Sequence, residues 1–262
     1  MRISSAVCAC VLAGQLLVPS AASASEHLDF PLRGQHLSLT VYRPLPQMPP
    51  KATILMASGD VGWVGLAAST SEFLSSAGYL VVGINSREYL SAFTTKIGGH
   101  LVPLEIQQDY GQLANLLRAQ GLLLQPVIVS GVSEGAGLAV LAASAAANHS
   151  WIRGVITMGL PGTVELAWRW SDFSAWITKR DSGEPAFLAR EFLPGISPCP
   201  LYMIQSTRDE YVSEQDYRDM EAAARQPKKL ALIAAANHRF TDRIPELRSQ
   251  YLAALAWIEA NG

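Results

Sequence analysis

The sequence predicts an α/β fold in which a largely parallel sheet carries helices on both faces, and three observations carry that expectation. From residue 52 onward, short apolar runs suited to buried strands alternate with longer segments of helical period. Ahead of them lies a pair of loosely alternating segments that reads as a hairpin. Near the middle, an apolar β-branched run, Val127-Ile128-Val129, passes through a glycine-rich turn into the alanine-rich stretch 138–143. At 262 residues, 49% hydrophobic and 16% charged, the chain can bury one large core, and a single α/β domain of this length is ordinary.

In chain order, residues 1–24 read as a secretory signal peptide. Arg2 supplies a positive start, residues 6–18 are apolar, and Ala22-Ser23-Ala24 has the small-x-small cleavage pattern. The segment is too short to span a membrane stably, and Gln15 and Pro19 interrupt it as a buried helix. The mature domain is therefore expected over 25–262. Removing Arg2 from the 20 basic residues leaves 19 against 22 acidic ones, which suggests no nucleic-acid partner. Cys8 and Cys10 fall within the signal, leaving Cys199 without an internal disulfide or zinc partner.

The hairpin is expected over 26–33 and 36–44, with Gly34-Gln35 between its strands, followed by a proline-rich loop over 44–50. Residues 52–57 form a strand, 66–77 a helix closed by Gly78, and 79–84 the next strand. Residues 103–120 form an amphipathic helix with Ile106, Tyr110, Leu113, Leu116 and Leu117 on one face. The central strand and helix follow, then a strand over 154–158. Residues 163–197 break the alternation with Trp168, Trp170, Phe173 and Trp176 among several charges, and are expected to form a lid. The alternation resumes with a strand over 200–205, a helix over 213–225, a strand over 230–235 and a helix over 245–260.

Chemistry enters at the central turn, Gly131-Val132-Ser133-Glu134-Gly135, a G-x-S-x-G between strand and helix. Its glycines let strand and helix pass close to a serine held in a strained turn. The helix start directs free N–H groups at charge developing beside the hydroxyl. A dinucleotide fingerprint needs a different glycine spacing. A serine hydroxyl is a poor nucleophile unless a base takes its proton and a third group orients that base. In this architecture the partners come later, in the order acid, then histidine. Of the five histidines, only His238 lies in a loop after a late strand. Asp209 is the acid expected, with Glu210 next to it as an alternative that periodicity leaves open. The oxyanion donors expected are the N–H of Glu134 and that of Gly59 or Asp60, in the loop Ser58-Gly59-Asp60-Val61-Gly62-Trp63. Trp63, Trp170 and Trp176 are the expected substrate contacts. No metal-binding or phosphate-loop pattern occurs, so no metal or cofactor is expected.

The loop Ser58-Gly59-Asp60-x-Gly62-Trp63, the strand Tyr79-Leu-Val-Val-Gly83-Ile-Asn85-Ser86 and the elbow Gly131-x-Ser133-x-Gly135-Ala136 together resemble the bacterial virulence-protein family typified by VirJ and the C-terminal part of AcvB. The loop Asn237-His238-Arg239-Phe240 is similar to the histidine loop of many relatives. The resemblance implies an α/β-hydrolase fold, export to the periplasm, and Ser133, Asp209 and His238 as a triad. It also implies cleavage of the amino acid from aminoacylated phosphatidylglycerol, a lipid ester, and with it peripheral membrane contact. Val61 stands where the family often has glycine, and Val132-Ser133-Glu134 replaces a more usual Tyr-Ser-x. A general carboxylesterase is one alternative. A periplasmic binding or chaperone-like protein, holding partners through 163–197, is another.

For an aminoacyl ester the pocket needs an anion near Ser133, because the substrate's ammonium lies one carbon from the scissile carbonyl. Asp60 and Glu134 are the candidates. Each also has a purely structural alternative: Glu134 at a helix N-terminus, Asp60 bracing its own loop.

Overall fold

The computed structural model describes residues 25–45, 49–95, 99–169 and 184–262. The chain opens with the hairpin β1 (Ser25–Leu32) and β2 (Gln35–Tyr42). Leu32 pairs with Gln35, so the turn is Arg33-Gly34, one residue earlier than Gly34-Gln35. Both turn residues have positive φ, 47° and 80°, as a tight two-residue hairpin turn requires. Arg33 occupies this position while its guanidinium reaches Glu105 at 2.9 Å and the buried Asp109 at 2.7 Å. The hairpin is thereby tied to a helix 70 residues downstream by a contact that periodicity cannot reveal.

The repeating part follows as β3 (Thr53–Ala57), α1 (Leu66–Ser76), β4 (Leu80–Ile84), α2 (Ser86–Ala92) and α3 (Pro103–Ala119). Helix α2 was not anticipated. Its start is set by Asn85, whose side chain accepts the Glu88 N–H, and it is only seven residues long, too brief for a periodic signal. On α3 the buried face is Ile106, Asp109, Tyr110, Leu113, Ala114 and Leu117, with Leu116 at its edge. Next come β5 (Val127–Val132), α4 (Glu134–Ser144) and β6 (Gly154–Met158). Within 163–197 lie a small hairpin, β7 (Thr163–Glu165) with β8 (Ala186–Leu188), and a short helical turn, Ala189–Phe192. The chain ends with β9 (Leu201–Ser206), α5 (Glu214–Ala223), β10 (Lys228–Ile233) and α6 (Ile244–Asn261).

Among the described residues, eight strands form one sheet in the order β1-β2-β4-β3-β5-β6-β9-β10. Strands β4, β3, β5, β6, β9 and β10 run parallel, and β2 lies antiparallel to β1 and β4. Each sheet face has its own core. One packs α1 and α6 through Leu74, Tyr251 and Ile258. The other packs α2 to α5 through Tyr89, Leu113, Leu138 and Met220. Helix α4 is buried from Gly135 to Ala143, which explains its nearly unbroken run of small and apolar residues.

The insertion differs from a simple appended flap. Val164, Leu166, Phe187, Leu193 and Ile196 are buried in the core that covers α4. Val164 sits so close to Gly137 that a Cβ there would lie 2.5 Å from it. Trp170, Phe173 and Trp176, on which the lid expectation rested, lie outside the described residues.

Candidate active site

Strand β3 pairs with β4 on one side and β5 on the other, and the chain departs in opposite directions from the carboxyl ends of β3 and β5. Such a reversal opens a crevice above the strand ends. Ala57 lies opposite Gly131, so the loop after β3 and the turn after β5 meet there. Ser133 has φ 53° and ψ −123°, a conformation that costs of order 1–3 kcal/mol for a residue with a side chain. Two features hold it. Its N–H donates to the Met158 carbonyl at 2.9 Å. Its flanking glycines permit approaches no side chain would tolerate: a Cβ on Gly131 would lie 2.1 Å from the Gly135 carbonyl oxygen, and one on Gly135 2.2 Å from that of Ser58.

His238 follows β10 in a turn organised by Asn237, whose Oδ1 accepts the N–H groups of Arg239 at 3.1 Å and Thr241 at 3.3 Å. Its Nε2 lies 3.0 Å from Ser133 Oγ, and its Nδ1 lies 2.6 Å from Asp209 Oδ2. The other oxygen of Asp209 accepts the N–H groups of Tyr211 at 2.9 Å and Val212 at 3.0 Å. The Asp209 side chain is fully buried and aligned on the imidazole. Of the two adjacent acids the sequence offered, Asp209 meets the ring. Glu210 instead accepts the His238 main-chain N–H at 2.8 Å. Burial disfavours the imidazolium, but the hydrogen bond and charge of Asp209, with the charges of Glu134 and Glu210, outweigh it. The imidazole pKa is therefore raised above 6.5.

Two further neighbours of the histidine were not foreseen. Gly159, at φ 61°, leaves room for the ring, since a Cβ there would lie 2.8 Å from its Cε1. Tyr211 stands edge-on to the imidazole with ring centroids 5.3 Å apart. An isolated glycine directly after a strand was the available signal for the first. No local signal marked the second.

Gly59 lies against the elbow, its Cβ position 3.5 Å from that of Ser133. Its carbonyl closes the loop by accepting the Gly62 N–H at 3.1 Å. As the first residue of α4, Glu134 carries an N–H with no acceptor inside the helix. The loop over 59–60 and the start of α4 thus both lie beside Ser133. The Asp60 and Glu134 carboxylates lie near each other here. Burial first, and then the Glu134 charge, push the Asp60 pKa up to about 6, opposed by the Val61 N–H, Arg239 and His238. One Glu134 oxygen, Oε2, is buried without a hydrogen-bond partner.

Trp63 is more fixed than a substrate-contacting side chain need be. Its indole N–H donates to the Tyr42 hydroxyl at 3.0 Å, and its ring occupies the space above Gly83, where a Cβ would lie 2.1 Å away. It still lines a cavity of about 830 Å³ with Val61, Val64, Arg87, Thr94 and Trp168. Trp170 and Trp176 lie outside the described residues.

Solved structures share this architecture. An esterase domain from a Rhodothermus marinus protein superposes with a TM-score of 0.61 at 20% identity, covering 89% of this chain and 98% of that one. Est1E from Butyrivibrio proteoclasticus gives 0.62 at 11% identity, covering 89% and 99%. A Xanthomonas campestris α/β serine hydrolase described as having no lid gives 0.56 at 19%, covering 86% and 90%. These likenesses show the α/β-hydrolase fold. No curated protein matches the chain by sequence. The model of the bacterial virulence protein family VirJ matches residues 51–237, a span that holds Ser133 and Asp209 and stops one residue before His238. With most of its length matched, the chain belongs to the VirJ family of bacterial virulence proteins.

Proposed function

We propose that the protein is a serine hydrolase of carboxylic esters. The observation that carries this reading is the unbroken chain from Ser133 Oγ through His238 to Asp209, at 3.0 and 2.6 Å. In the proposed reaction Ser133 Oγ attacks the ester carbonyl while its proton passes to His238 Nε2, and Asp209 stabilises the imidazolium. The oxyanion is met by the N–H of Glu134 and that of Gly59 or Asp60. The carbon–oxygen bond to the alcohol then breaks, and His238 returns the proton to the departing alkoxide. Water attacks the acyl-serine with His238 again as base, releasing the acid and restoring the serine hydroxyl.

For the substrate we propose an aminoacyl ester, and on the family resemblance aminoacylated phosphatidylglycerol. Support comes from Asp60 and Glu134 beside Ser133, whose carboxylates suit an ammonium one carbon from the scissile carbonyl. A lipid substrate would bring the protein to a membrane surface, and residues 1–24 would deliver it to the periplasm.

The test is a substrate panel with wild type and Ser133→Ala in parallel, pairing an aminoacyl phosphatidylglycerol with its N-acetylated counterpart. Ser133→Ala should lower kcat on the order of a million-fold. Labelling of the wild type by a fluorophosphonate should be lost with it. Full activity in the variant would sink the hydrolase reading, and equal turnover of the paired lipids would sink the aminoacyl one.

A further inference from the structure

The loop after β9 places two adjacent carboxylates on one histidine. Asp209 takes the ring N–H at 2.6 Å and Glu210 the main-chain N–H at 2.8 Å. We infer that Glu210 is a positioning residue of the proposed ester hydrolysis, clamping the backbone of His238 so that Nε2 stays within reach of Ser133. This inference rests on the triad reading above.

The physical need for a second hold follows from where His238 sits. It lies in a turn on the carboxyl end of β10, the edge strand of the sheet among the described residues. One hydrogen bond to Nδ1 aligns the ring but leaves the Cα free to swing about that contact. A second bond, to the main chain, removes that freedom. The turn is otherwise held at Asn237, whose Oδ1 accepts the Arg239 and Thr241 N–H groups, at Ala236, whose N–H donates to Asp242 at 2.8 Å, and at buried Phe240. Glu210 is therefore the clamp at the histidine itself. Because both acids leave the same loop, the clamp also locks β9's loop to β10's.

The groups that face the imidazole are Asp209, Glu210 and the Tyr211 ring from the loop after β9, Glu134 from α4, and Asp60 from the loop after β3. Arg239, which follows His238, adds a positive charge felt at Asp60. Glu210 is among the groups that raise the imidazole pKa. Removing its charge moves the pKa down, so the neutral, basic imidazole persists to lower pH.

The experiment compares Glu210→Ala and Glu210→Gln with wild type. It reads the second-order rate of fluorophosphonate labelling across pH and the imidazole titration by NMR. Because Glu210 is exposed, neither change opens a core cavity. Glu210→Ala should slow labelling by about 10–100-fold, the scale of a small misplacement at a reacting centre. Glu210→Gln keeps an acceptor for the N–H and should regain most of that rate. Its imidazole titration should move to lower pH, because the Glu210 charge is one of the groups that hold it up. Wild-type labelling by Glu210→Ala would overturn the inference, as would a Glu210→Gln protein with the wild-type imidazole titration and the slow rate of Glu210→Ala. If wild type is not labelled at all, the hydrolase reading fails instead. The clamp is then read from the His238 main-chain N–H itself: its hydrogen exchange should quicken in Glu210→Ala, and an unchanged exchange rate overturns the inference.

Discussion

At the scale of single residues, this site surrounds its carboxyl groups very unequally. Asp209 is buried yet both its oxygens are hydrogen-bonded, to two main-chain N–H groups and the imidazole. Asp60 is less well served. Burial and Glu134 raise its pKa to about 6 against an ordinary 3.8. A carboxyl whose folded pKa lies above its unfolded one stabilises the fold when protonated. That contribution is complete below pH 3.8 and is lost as pH rises through about 6. Asp60→Asn keeps the shape and never ionises. It should therefore melt above wild type at pH 8, with the gap closing near pH 4, in thermal unfolding followed by circular dichroism. A gap that is the same at both pH values would mean that Asp60 is not ionised against its surroundings. An anion held at such a cost suits the ammonium of the proposed substrate.

At the scale of elements, the proposed nucleophile is positioned by the fit of one strand–turn–helix unit against the loop beside it. Gly135, the second residue of α4, lies directly against the Ala57 and Ser58 carbonyls. The obstacle to any side chain there is backbone, which cannot rotate away. Gly135→Ala should cost about 3 kcal/mol or more, the upper range for forced overpacking, and should displace Ser133 from His238. Denaturant unfolding measures the first effect and fluorophosphonate labelling the second. Near-native stability with full labelling would show that strand and helix can part without loss. The 163–197 insertion shows the same principle of fit. Its described ends are bound into the core by Val164 and Phe187, and Gly137 gives the room for it. Its aromatic content therefore reflects packing at least at its edges, which helix-like aromatic spacing alone did not distinguish from a lid.

For the whole molecule, the sheet order brings together residues 105 and 29 positions apart at one carboxyl end. The proposed export of this domain predicts that a full-length product, expressed in a bacterium, is recovered in the periplasm beginning at Ser25 by intact mass. A cytoplasmic product retaining residues 1–24 would sink that reading. The sequence alone determined the α/β class, the strands and most helices, and the elbow at Ser133. Period, glycine punctuation and β-branched runs act within a few residues and need no partner to be read. It also narrowed the acid to Asp209 or Glu210 and the base to His238, because chain order along such a sheet is itself a constraint. Tertiary structure decided which acid meets the ring, that the other holds the backbone, and that Arg33 turns the hairpin toward Asp109. It also decided that Gly159 clears the imidazole's place. These depend on the direction each side chain takes once β9, β10 and β6 lie side by side, and on contacts between segments far apart in the chain. No local pattern records such contacts, because the energy that selects them comes from burial and hydrogen bonding that exist only after the sheet has formed.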